Sequence, residues 1–127
     1  MKLKIELEGE VFEATLTNEF APKTVEKIVA ALPIESDVMV WGDEVYFDVP
    51  VEMEEENAKE TVSKGDLGYW PAGNTLCIFY GKTPISESEE EIRPASAVNI
   101  VGRIAEPDRL KRLDPKGGER IRISEWR

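Results

Sequence analysis

Short runs of alternating apolar and polar residues, separated by turn residues, recur along the chain and constrain its fold more than any other feature. Lys2 to Glu8 alternates strictly, Gly9-Glu10 follows, and a second alternating run extends from Val11 to Thr17. A period of two is typical of strands that bury one face. Two such runs joined by a two-residue turn therefore indicate a β-hairpin.

Two other segments have helical periodicity. Between Pro22 and Leu32 the apolar residues recur at i, i+3, i+4 and i+7, which predicts an amphipathic helix that Pro33 ends. Pro107 to Leu113 predicts a second, shorter helix.

The remaining apolar runs predict strands, and no strand–helix–strand alternation connects them. Mostly antiparallel strands with two separate helices favour a barrel or sandwich whose ends the helices close. The acidic segment Glu52–Glu60 is interpreted as a solvated loop, and Ser86–Pro94 as a polar, acidic excursion. The predicted strands are Asp37–Trp41, Glu44–Val49, Leu67–Pro71, Thr75–Tyr80, Ala97–Ile104 and Arg120–Trp126.

Length and composition exclude several classes of function. The 127 residues fit one domain, residues 1–127, with a core that needs no disulfide or metal. No apolar run approaches the ~20 residues that span a bilayer and no signal-peptide pattern is present, so we expect a cytoplasmic protein with no membrane partner. The formal net charge of −10 disfavours nucleic acid as a partner. Abundant Glu and Lys without any Gln predicts a thermophilic source.

The side chains of nucleophilic and redox catalysis are scarce. Histidine is absent, which removes the usual proton carrier at neutral pH. Cys77 is the only cysteine and has apolar neighbours, so it is interpreted as a buried thiol. No phosphate-binding glycine loop, dinucleotide fingerprint or G-x-S-x-G motif occurs, so no cofactor is predicted.

The predicted strand Thr75–Tyr80 is apolar on both faces. Its alternation sends Leu76, Ile78 and Tyr80 to one side and Cys77 and Phe79 to the other. Two interpretations fit: a strand buried on both sides, or a barrel strand with a core inside and a ligand groove outside.

Several other side chains are candidates for a site. Trp41 and Trp70 combine a large apolar surface with a polar handle, as ligand walls often do, although aromatic residues are also ordinary core material. Four acids, Asp37, Asp43-Glu44 and Asp66, lie beside glycines or at strand ends and are interpreted as turn residues rather than as a metal site or an acid pair.

Arg93 lies between an acidic loop and Pro94 and is the arginine best placed by sequence to lie near the possible groove strand, Thr75–Tyr80. It is the one candidate for a catalytic or ligand-binding arginine. A local ion pair with the acidic residues Glu89 to Glu91 is the alternative interpretation.

Six segments carry a resemblance to a known family: APKTVEKIVAALP, WGDEVYF, GDLGYWP, NTLCIFYGKTP, PASAVN and VNIVGRIAEPDRLKRL. They resemble segments of cyclophilins, in the cyclophilin order along the chain. The similarity is greatest to small prokaryotic cyclophilin-like proteins and covers nearly the whole sequence. It implies an eight-stranded antiparallel barrel capped by two helices.

The chain departs from cyclophilins where their catalytic residues lie. The resemblance implies a peptidyl-prolyl isomerase groove whose arginine polarises the prolyl nitrogen, but the matching segment Val38–Trp41 contains no arginine. Cys77 takes the place of a groove glutamine, and only Phe79 matches a groove phenylalanine.

These departures predict a non-catalytic binding module. Its outer barrel face, near Trp41, Trp70, Cys77 and Phe79, is expected to hold a small or extended apolar or proline-containing ligand. The alternatives are a peptidyl-prolyl isomerase, weak or active, and a subunit or relative of carboxylase- or oxoprolinase-type amide-hydrolysing systems, which would need a protein partner.

Overall fold

A computed structural model describes residues 1–127, and in it the alternating segments form nine strands. Neither of its two helices is long and apolar enough to cross a bilayer. The strands are β1 (Lys2–Leu7), β2 (Glu10–Leu16), β3 (Ile34–Asp37), β4 (Met39–Val40), β5 (Glu44–Asp48), β6 (Asp66–Trp70), β7 (Thr75–Phe79), β8 (Asn99–Ile104) and β9 (Arg120–Glu125). The helices are α1 (Pro22–Ala31) and α2 (Pro107–Leu113), and Pro71–Gly73 forms one 3-10 turn between β6 and β7.

All nine strands pair antiparallel in one sheet, in the order β3-β9-β1-β2-β8-β6-β7-β5-β4. The two end strands, β3 and β4, are separated in sequence by Val38 alone, so the edges of the sheet meet there and the barrel is nearly closed. The predicted antiparallel barrel with two helices is therefore confirmed, with nine strands where eight were expected. The predicted strand Asp37–Trp41 is interrupted at Val38, because the residues before it pair with β9 and those after it pair with β5.

The first hairpin confirms the alternation but shifts its turn by one residue. Leu7 pairs with Glu10, so the two turn residues are Glu8 and Gly9 rather than Gly9 and Glu10. Both turn residues have positive φ, 52° and 75°. Such turns match the twist of the strands that they join, and glycine adopts this conformation without strain.

The barrel interior holds the larger of two hydrophobic clusters. Leu3, Ile5 and Leu7 of β1 all point into it and are 1% exposed, as the alternation predicts. Ile28 of α1 and Leu110 of α2 join the same cluster. The two helices therefore contribute to the interior core, as expected of helices that close a barrel.

A second, smaller cluster lies on the opposite, outer face of β7, under two irregular segments. Lys59 and Val98 exchange two backbone hydrogen bonds, 2.8 and 3.0 Å long, and Val62 and Ile92 exchange two of 2.8 and 3.2 Å. These pairings hold segments 57–63 and 92–98 together; we call the two segments the cover. The cover explains how β7 is buried on both faces.

The acidic stretch before the cover is more than a solvated loop. The Glu56 carboxylate accepts hydrogen bonds from the backbone N–H groups of Lys23 and Thr24, at 3.1 and 2.9 Å, at the start of α1. The Glu56 N–H donates to the Asn99 side chain at 2.9 Å, and the Asn99 amide donates to the Thr24 hydroxyl at 3.1 Å. A carboxylate more than thirty residues away thus satisfies helix donors that a local capping residue would normally bind.

Candidate functional site

The outer face of three neighbouring strands forms the floor of a pocket. Tyr46 of β5 lies opposite Cys77 of β7, and Cys77 lies opposite Gly68 of β6. A Cβ atom on Gly68 would lie 2.7 Å from the Cγ2 atom of Val98, so the absence of a side chain there lets the cover approach the sheet closely. The floor therefore depends on one glycine and on the alternation of β5 and β7.

A tight turn between β4 and β5 brings an aromatic residue to the edge of this floor. The N–H of Trp41 donates to the carbonyl of Glu44 at 2.9 Å, and the N–H of Glu44 donates to the carbonyl of Trp41 at 3.2 Å. Gly42 has a φ of 60°, and a Cβ atom there would lie 2.8 Å from Pro84. This geometry fixes Trp41 directly opposite Glu44.

The pocket has a volume of about 180 Å³ and mostly apolar walls. The indole N–H of Trp70 donates a hydrogen bond to the hydroxyl of Ser96, which ties one aromatic wall to the cover. The lining residues are Trp41, Glu44, Tyr46, Trp70, Cys77, Pro94, Ala95, Ser96 and Val98.

Glu44 is the only charged residue among those lining the pocket, and it is 5% exposed. Its Oε1 atom is buried and has no hydrogen-bond partner. Burial raises the pKa of this carboxyl to about 7, and the thiol of Cys77 lowers it by a smaller amount as a hydrogen-bond donor. Near neutral pH the carboxyl can therefore either accept or donate a hydrogen bond, or hold a cation.

Three of the five residues predicted for the site line this pocket: Trp41, Trp70 and Cys77. Phe79 does not line it and is fully buried in the outer cluster, because the cover lies over its position on β7. The Arg93 guanidinium does not line it either, because it bonds the Glu91 carboxylate at 2.7 Å, as the alternative interpretation predicted.

Glu44 was missed as a site residue because it follows a glycine-containing turn and was interpreted as a turn residue. The signal that identifies it is alternation: Glu44 lies two residues before Tyr46 and therefore on the same outward face. The other acids of that group are paired: Asp37 with Arg120 at 3.3 Å, Asp43 with Lys111 at 3.5 Å and Asp66 with Arg103 at 2.8 Å.

Cys77 is buried, as predicted, and is not activated. Burial and the neighbouring Glu44 carboxylate raise the pKa of its thiol well above the ordinary value of 9.0. Since the thiolate is the nucleophilic form, this environment disfavours covalent or redox chemistry at Cys77.

Comparison with known proteins agrees with this fold. The family model described as cyclophilin-like matches residues 1–124. The chain is also similar to the solution structure of the hypothetical protein AF2241 from Archaeoglobus fulgidus, with 44% sequence identity, a TM-score of 0.81, and coverage of 99% of this chain and 95% of that one. No curated protein matches the chain. The chain belongs to the cyclophilin-like family.

Proposed function

We propose that this protein is a non-catalytic binding module whose pocket holds a small, ring-sized apolar group. The group belongs either to a small molecule or to a proline in an extended peptide. The observation that carries the proposal is the 180 Å³ pocket with aromatic walls on the outer barrel face. A cavity of about 150 Å³ with apolar walls holds one benzene molecule, so this volume fits a five- or six-membered ring.

The chemistry of the lining residues supports binding without turnover. Covalent catalysis needs a nucleophile activated by a base or by a lowered pKa. The pKa of the Cys77 thiol is raised, and no lysine or arginine lines the pocket to activate it. Glu44 provides one carboxyl, whereas hydrolysis by paired acids requires two.

An NMR titration with cyclohexanol and with an Ala-Pro peptide tests the proposal. We expect shifts of the indole N–H signals of Trp41 and Trp70 and of the Cys77 amide. Trp41→Leu removes a wall and should weaken binding, whereas Trp126→Leu, at an exposed tryptophan near the C-terminus, is the matched control and should not. Shifts confined to strands far from these residues would contradict the proposal.

Peptidyl-prolyl isomerisation is the second candidate, favoured by a ring-sized pocket on the outer barrel face. Catalysis of this reaction requires preferential binding of the twisted prolyl amide. No arginine lines the pocket to donate a hydrogen bond to the prolyl nitrogen, and Arg93 is paired with Glu91. We therefore expect weak activity at most.

A role beside an amide hydrolase remains a prediction from the sequence. Because this pocket offers no nucleophile and base pair, a partner chain would have to supply both. A pull-down from the native host that recovers no hydrolase subunit would count against this role.

A further inference from the structure

The pocket places one carboxyl among apolar and aromatic groups and gives it no counter-charge. Glu44 is 5% exposed, its Oε1 atom has no partner, and no basic side chain lines the pocket. An ionised carboxylate in such surroundings is costly unless a cation or hydrogen-bond donor reaches it.

No cation of the chain lines the pocket: Lys82, beside the turn between β4 and β5, is exposed to solvent, and two other cations are paired with acidic residues. Arg93 bonds Glu91 at 2.7 Å, and Lys111 lies 3.5 Å from both Asp43 and Glu89. The positive charge that would best satisfy Glu44 therefore has to come from a ligand.

The aromatic walls suit the same kind of ligand. The faces of tryptophan and tyrosine rings attract cations, most strongly where water is excluded. Trp41, Tyr46 and Trp70 all line the pocket, and the indole N–H of Trp70 is already used by Ser96. The protein's formal charge of −10 also attracts cations over longer distances.

We propose that the pocket binds an organic ammonium ion, with its amine against the Glu44 carboxylate and its ring-sized apolar body between the aromatic walls. This inference rests on the proposed binding function and specifies its ligand class. It is carried by the unpartnered carboxyl, the aromatic lining and the absence of a lining cation.

The titratable groups around Glu44 set the pH range of the test. Cys77 on β7 and Tyr46 on β5 face it in the pocket, the cover contributes only uncharged lining residues, and Asp43 and Tyr80 lie on adjoining segments. Burial raises the pKa of Cys77 well above 9.0, and that of Tyr80 is raised mainly by burial and further by Asp43. Between about pH 5.5 and pH 8.5, Glu44 is therefore the pocket group that changes charge.

Cyclohexylamine and cyclohexanol form a matched pair of probes with the same ring and one polar substituent. By calorimetry and NMR at pH 8.5, we expect the amine to bind about tenfold more tightly, the gain typical of a hydrogen bond between charged groups. This preference should shrink at pH 5.5, where Glu44 is protonated. It should disappear in Glu44→Gln and persist in Asp43→Asn, which removes a neighbouring charge outside the pocket.

The remaining outcomes separate the two proposals. Equal binding of both probes at the pocket, or tighter binding of the alcohol, would overturn the ammonium assignment and leave the binding function standing. Binding of neither probe at the pocket would overturn both. If Glu44→Gln does not weaken amine binding, the amine binds the acidic surface instead, and the ammonium proposal is overturned. If Glu44→Gln does not fold, the pH series on the unmodified protein still decides.

Discussion

Replacing Glu44 with Gln removes a buried ionisable group while nearly preserving the size of the side chain. In the folded protein the pKa of Glu44 is about 7, whereas its ordinary value is 4.5. Between these pH values the folded state holds a proton that the unfolded chain releases, so the free energy of unfolding falls as pH rises. The difference between the two pKa values corresponds to about 3 kcal/mol of unfolding free energy, which is lost as the pH rises through 7.

The Gln variant lacks this dependence. Its buried amide carries a cost of its own, about 1 to 3 kcal/mol if left without a partner, but that cost does not change with pH. We therefore expect the stability of Glu44→Gln, relative to the unmodified protein, to improve by about 3 kcal/mol between pH 4.5 and pH 8.5. This is a large fraction of the ~5 to 15 kcal/mol typical of a domain.

Urea unfolding followed by tryptophan fluorescence at several pH values measures the effect, since Trp41 and Trp70 line the same pocket. Asp43→Asn is the control, because it removes an adjacent carboxyl that is partly exposed and paired with Lys111. A stability difference for Glu44→Gln that stays constant across this pH range would refute the reasoning. A carbon-13 titration of the Glu44 carboxyl gives an independent value, expected near pH 7.

Three other predictions concern the cover, the helix cap and catalysis. Glu56→Gln should lose about 1 kcal/mol of stability at neutral pH, unlike exposed Glu55→Gln. Desolvation raises the pKa of Glu56, but hydrogen bonds from Thr24 and Lys23 outweigh it and hold the pKa below 4.5. The stability loss should therefore vanish when urea unfolding is repeated at falling pH. Gly68→Ala should cost about 1 to 3 kcal/mol in the same assay, and Val98→Ala in that background should recover part of it, since the new methyl would lie 2.7 Å from Val98 Cγ2. In an NMR exchange assay, isomerase activity on an Ala-Pro peptide should be absent or at least about a hundredfold below an ordinary cyclophilin, and Arg93→Ala should not change it; a rate comparable to a true cyclophilin would contradict this.

Local sequence patterns predicted the elements whose structure depends on near neighbours. The α2 bounds, Pro107–Leu113, agree with the helical periodicity and its initial proline. The two faces of β7 also separate as alternation requires, with Ile78 in the interior cluster and Cys77 in the outer one. The split at Val38 was missed because it depends on pairing with β9 and β5, which no local pattern encodes.

The site was predicted only in part for the same reason. Alternation could place Glu44 on the outward face of β5, but its burial depends on cover residues about fifty positions away. The cap of α1 also depends on a distant residue, since the Glu56 carboxylate that accepts from the Thr24 N–H is 32 residues away. Composition and spacing therefore could not predict the environments of Glu44 and Glu56, which depend on residues far away in the sequence.

The absence of the cyclophilin arginine and the presence of Glu44 both shift the preference of the pocket from hydrogen-bond acceptors to donors and cations. The cyclophilin resemblance implies a groove whose arginine donates to the prolyl nitrogen, whereas the lining of this pocket contains no arginine or lysine and one buried carboxyl. A ligand matched to the first groove presents an acceptor, and a ligand matched to the second presents a donor or a cation. An acceptor placed against ionised Glu44 would be repelled, so cyclophilin ligands should bind this pocket better at low pH than at high pH. The barrel can thus be retained while the electrostatic preference of its outer face is reversed, because the core inside the strands and the pocket outside them use alternate residues.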